Sequence, residues 1–76
     1  MEANLFSLVS ASDPSKVFAY GMEIAQETRT DAIVYRRDPD TGRTMVGQHS
    51  TAEDALKRYG KRVPLVLRWE YDEDDC

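Results

Sequence analysis

The chain has 76 residues, a formal net charge of −4, 41% hydrophobic residues and one cysteine, the last residue. That length suits a single small domain that buries only about 60% of the surface its unfolded chain exposes. With one cysteine an internal disulfide is excluded, and no run approaches the ~20 apolar residues of a membrane span. The expectation is a soluble, cytoplasmic protein.

The distribution of charge says more than its sum. Residues 1–35 net −3, residues 36–68 hold eight of the ten basic side chains and net +4, and the last eight residues net −5. A basic middle with an acidic end suggests an anion-binding surface, or a tail that folds back onto one.

In chain order, Asn4 to Ser10 can be a short buried strand or a helical face, and its β-rich content favours the strand. Ser12-Asp13-Pro14 reads as a helix start, with Asp13 as N-cap and Pro14 in the first turn. This predicts a first helix over 14–28, whose apolar residues spread over a wide arc. A single sheet would leave part of that arc exposed, so Phe18, Tyr20 and Met22 are predicted to touch a partner protein or a second copy.

Asp31–Arg37 and Thr44–His49 read as paired strands around the turn Asp38-Pro39-Asp40-Thr41-Gly42. Tyr35 faces Val46 without a bulge, or Met45 with one at Gly42. Ser50-Thr51-Ala52-Glu53 has the form of a capping box, in which Ser50 accepts from the Glu53 N–H. Ala52, Ala55, Leu56 and Tyr59 then give a second helix that Gly60 stops. From Val63 to Tyr71 the pattern alternates, with Val63, Leu65, Leu67, Trp69 and Tyr71 on one face.

The predicted order is strand, helix, strand, strand, helix, strand. It implies an α+β, split-βαβ (ferredoxin-like) sandwich, a four-stranded antiparallel sheet with two helices on one face. A three-stranded sheet with an N-terminal helix is the alternative. Residues 1–71 form the domain, and 72–76 are expected to be an acidic disordered tail.

His49 is the sole histidine and neighbours Ser50, but adjacent strand residues point to opposite faces and Ser50 is assigned to a helix cap. No nucleophile, base and orienting group fall together, so no catalytic residue is assigned and the protein is not expected to be an enzyme. Asp38-x-Asp40-x-Gly42 lacks the later ligands of a calcium loop, and the first loop has neither Cys-x-x-Cys nor a glycine-rich phosphate cradle. Neither a metal, a cofactor nor a small-molecule substrate is expected.

Arg36, Arg37, Arg43, Lys57, Arg58, Lys61 and Arg62 form the candidate anion-binding set. Arg36 and Arg37 alternate along a strand, so only one of them is expected to join a shared patch. The leading expectation is a small non-catalytic protein–protein interaction or regulatory module. Nucleic-acid binding through the basic hairpin and the second helix's C-terminus is the first alternative. An inhibitor or mimic acting through the acidic tail is the other.

Overall fold

In the computed structural model, which describes residues 1–70, the chain forms five strands and one helix. They are β1 (Glu2–Ser10), β2 (Val17–Ala25), β3 (Thr30–Arg37), β4 (Thr44–His49), α1 (Ala52–Tyr59) and β5 (Leu65–Trp69). All strand pairs are antiparallel, and the sheet order is β4-β3-β2-β1-β5. The first four strands meander; α1 then crosses one face and delivers β5 to the free edge of β1.

The four-stranded, two-helix sandwich is therefore incorrect, because the segment assigned to the first helix is strand β2. Asp13 does not cap a helix. Its carboxylate accepts from the Ser15 N–H (3.1 Å) and hydroxyl (2.6 Å), closing a tight turn between β1 and β2. Beyond the turn, Val17, Phe18, Tyr20 and Ile24 are β-branched or aromatic, and Gly21 costs about 1 kcal/mol inside a helix. The wide apolar arc has the same origin. A strand between two neighbours carries apolar residues on both faces, and such a stretch cannot be told from a buried helix by periodicity.

Gly21 also serves the sheet directly. A Cβ there would overlap the Phe6 ring and lie 2.8 Å from the Ile33 carbonyl oxygen, so Phe6 fills the space that the absent side chain leaves.

One face of the sheet makes the core. Phe6, Leu8, Ala19, Ala32 and Val34 are buried against Ala52 and Ala55 of α1, with Leu56, Tyr59, Leu65, Leu67 and Trp69 around them. The small residues Gly21, Ala19 and Ala32 let the short helix sit close to the sheet.

Two local devices hold α1. Its N-cap is Thr51, whose hydroxyl accepts from the Asp54 N–H at 3.0 Å, one residue later than the predicted Ser50–Glu53 box. The carboxylate of Glu23 on β2 accepts from the Ala52 N–H at 2.9 Å, satisfying a second free donor of the first turn. Replacing Thr51 by Ala should cost about 1 kcal/mol, read as a shift in urea midpoint at unchanged slope.

The β3–β4 hairpin has Tyr35 opposite Val46. The Asp38 carboxylate accepts from the Asp40 N–H at 2.8 Å, and Gly42 takes φ +76°. These backbone bonds hold the Asp38 carboxyl below its ordinary range, with Arg36 adding to the effect. The acidic tail assigned to 72–76 lies outside the described residues. No helix among the described residues is long and apolar enough to cross a membrane.

Candidate functional site

Two surfaces are left by this architecture, the uncovered face of the sheet and a basic recess at one end of it.

The uncovered face follows from the strand register. One row across it reads Arg68, Ser7, Tyr20, Tyr35 and Val46; the next reads Leu5, Met22, Ile33 and Gln48. Leu5, Tyr20, Ile33, Tyr35, Val46 and Val66 are all exposed there, from 39% for Ile33 to 69% for Val46. Tyr20 and Met22 thus lie on this face, but as strand residues. Phe18, predicted with them, does not.

Two ion pairs lie on the open face, while Arg37, two residues beyond Tyr35 on β3, has no ion pair among the described residues. Arg68 Nε lies 3.3 Å from Glu70 Oε2, and Arg29 Nη2 lies 3.0 Å from Asp31 Oδ1. The buried Ser7 hydroxyl also donates to Glu70 Oε2 at 2.5 Å. Arg68 reaches the Pro14 carbonyl at 3.4 Å, tying the β1–β2 loop over one corner of the sheet.

The Ser7 hydroxyl, and then Arg68, hold the Glu70 carboxyl below its ordinary value. A depressed folded-state pKa contributes stability that is present above the unfolded pKa and lost as pH falls through the folded one. Wild type should therefore lose more melting temperature between pH 6 and pH 3 than Glu70→Gln does. Equal losses in parallel melts would show that this carboxylate is not coupled to folding.

The basic recess is built by a bulge. Leu8 pairs with Ala19 but Val9 pairs with Val17, so Phe18 is the extra residue in β2. It packs on the helix side with Ala19. Its ring lies 5.9 Å from Tyr59, and the Arg36 guanidinium sits over it at 4.3 Å. Tyr59 in turn meets His49, whose Nε2 is 3.1 Å from the Tyr59 hydroxyl. Gly47 makes room for that contact, since a Cβ would come within 2.6 Å of the hydroxyl.

Around Phe18 the recess has two contiguous lobes, of about 470 and 440 Å³. Lys16, Arg36 and Arg37 line the first; Arg36, Arg58 and Arg62 line the second. Arg36 and Arg37 were expected to part to opposite faces. Both line the recess because it wraps around the end of β3, where the sheet no longer separates its two sides.

Of the remaining candidates, Lys57 and Lys61 line neither lobe but a neighbouring hollow against α1 that shares Pro64 and Leu65 with the first lobe, and Arg43 lines neither lobe. Lys16 was missed by sequence reasoning. It sits in the acidic first block, and nothing local links it to residues twenty positions away.

The topology biases charge by pole, although Asp13, Asp38 and Asp40 share the basic end and Arg29 and Arg68 the acidic one. The ends of β1, β3 and α1 and the starts of β2, β4 and β5 gather at one end of the sheet, and all the candidate basic residues belong to those termini. Glu2, Glu27, Asp31, Glu53, Asp54 and Glu70 belong to the opposite termini.

The hydrogen-bond partner and ring contact of His49 among the described residues is Tyr59. No cluster of metal-ligating side chains occurs among the described residues. Comparison with protein-family models, curated proteins and solved structures finds no match to this chain.

Proposed function

We propose that this chain is a non-catalytic protein-interaction module that docks through the open face of its sheet, and that a second copy is the partner this face suits. The carrying observation is the row of exposed apolar side chains, Leu5, Tyr20, Ile33, Tyr35, Val46 and Val66, on one continuous sheet surface. The largest apolar patch on an ordinary monomer is about 300–600 Å² and is often functional, and this patch is of that order, so its continuity across neighbouring strands rather than its area supports docking.

Charge supports a second copy over a charged partner. Arg68 and Arg29 are paired with Glu70 and Asp31 within the chain, and Arg37 lies at the β3 end of the face beyond Tyr35, so the apolar centre of the patch meets its copy without like-charge repulsion. A two-fold arrangement places the same patch on both sides, as sheet-on-sheet packing does.

Four inter-strand spacings and about five residues of strand give a patch of about 19 by 17 Å. That is small against the ~800 Å² per partner of a standard interface, so the dimer should be reversible, dissociating on the order of micromolar.

Sedimentation equilibrium from about 1 to 200 µM tests this. Wild type should pass from monomer to dimer, and Tyr20→Asp or Val46→Lys should stay monomeric with an unchanged circular dichroism spectrum. A wild-type monomer at every concentration overturns the proposal.

A further inference from the structure

We propose that the basic recess at the α1 C-terminus binds the phosphodiester backbone of single-stranded nucleic acid, without reading its sequence. The inference rests on different residues from the dimer face and stands independently of it.

The first support is convergence. Lys16 and Arg37 flank Arg36 on one side, and Arg58 and Arg62 flank it on the other, although they come from four different segments of the chain. A basic group at a helix C-terminus complements the helix dipole by itself, which accounts for Arg58 alone. It does not account for Lys16, Arg36 and Arg37, which belong to strands and loops on the facing sheet.

Preorganisation is the second. Arg36 is stacked on Phe18, which is itself braced by Tyr59, so its planar fork is held before any ligand arrives. Its Nε is buried and has no hydrogen-bond partner among the described residues.

Ligand class follows from the donors. The charged side chains that line the two lobes are guanidinium and ammonium groups, which donate and do not accept, while the Asp38 carboxylate beside Arg36 is held by the backbone of its own turn. A phosphodiester chain offers acceptors alone and matches them. An acidic peptide would also bring an N–H at every residue, and the recess lies across strand ends rather than along a sheet edge where such groups pair.

Phe18 is covered by Arg36 on one side and meets Tyr59 on another, so it is not a free platform for a base. Affinity should therefore be electrostatic and indifferent to base identity.

The overall charge of −4 does not forbid this. Five residues of β5, about 16 Å, separate Leu65 at the recess from Glu70 at the acidic end, twice the ~8 Å screening length at physiological salt.

The test is fluorescence anisotropy of labelled 12-nucleotide oligo(dT) and oligo(dA) with the full chain at 25 to 200 mM salt. With three to five phosphates engaged, the plot of log affinity against log salt should have a slope between about −2 and −3.5. The two oligonucleotides should bind within about threefold of each other.

Arg58→Ala and Arg62→Ala should each weaken binding several-fold and make the slope shallower by about 0.7. Lys57→Ala and Lys61→Ala remove the same charge outside the recess and should change neither. These are exposed positions, so folding is not at stake. No binding at 25 mM salt overturns the proposal. So does an equal loss from the Lys57 or Lys61 variants, which would show attraction to general charge rather than a site. Tighter binding of a labelled poly-glutamate peptide than of either oligonucleotide would assign the recess to an acidic polypeptide instead.

Discussion

Gly21→Ala is expected to lower the melting temperature by about 15 °C, from a loss of about 3 kcal/mol. In most strand positions the same change is neutral or stabilising, because alanine has less backbone freedom to lose. Here the added Cβ meets two obstacles, the Phe6 ring and, at 2.8 Å, the Ile33 carbonyl oxygen of the neighbouring strand. The ring is locked in the core beside Trp69, 5.7 Å away, and the carbonyl belongs to the ladder. Neither can retreat without breaking packing or pairing.

Gly47→Ala is the control. Its Cβ would meet the far end of Tyr59, a side chain that can swing at the expense of its His49 contact, so about 1 kcal/mol is expected. For a chain of this size the whole stability is about 4 to 11 kcal/mol, so Gly21→Ala removes a large part of it. Thermal melts of both variants check the ranking. Equal melting temperatures for wild type and Gly21→Ala would show that Phe6 does not occupy the space above Gly21.

Two leucines on β1, three residues apart, should behave in opposite ways. Leu8→Ala is expected to cost between about 2 and 5 kcal/mol and to leave little folded protein at 37 °C. Its side chain is fully buried between Ala19 and Leu67 on the helix side of the sheet. The cavity cannot collapse readily, because both neighbours are fixed by the ladder and Ala19 is already small.

Leu5 lies on the open face and is 58% exposed. Leu5→Ala should change the urea midpoint by less than the equivalent of about 0.5 kcal/mol. It should nevertheless weaken self-association, because Leu5 contributes to the docking face. If Leu5→Ala unfolds the domain and Leu8→Ala is mild, the register of β1 is shifted by one residue and every face assignment reverses.

Much of the second half of the chain was legible in the sequence. Asp38-Pro39-Asp40-Thr41-Gly42 defines a turn through side-chain bonds and a positive φ, both local properties. α1 is legible from its spacing and its stop at Gly60, and β5 from strict alternation. Each signal lies within ten residues and needs no distant partner.

The first half was not legible for a physical reason. Asp13-Pro14 opens turns and helices alike, and Val17 to Ala25 carries apolar residues on both faces because β2 lies between β1 and β3. What decides for a strand is the pairing itself, with Phe6 against Gly21 and Tyr20 against Tyr35. Those contacts span fifteen residues on each side of β2, beyond any local pattern.

Composition and order alone therefore determined a small disulfide-free domain, a central hairpin, one amphipathic helix, an alternating last strand and three blocks of charge. Tertiary structure decided which face of the sheet is bare and which basic residues meet. Antiparallel pairing carries strand ends from distant parts of the chain to one pole, and a single bulge turns Phe18 beneath Arg36. Charge blocks in sequence become charged poles only when the strands alternate direction, and that alternation is a property of pairing rather than of any one segment.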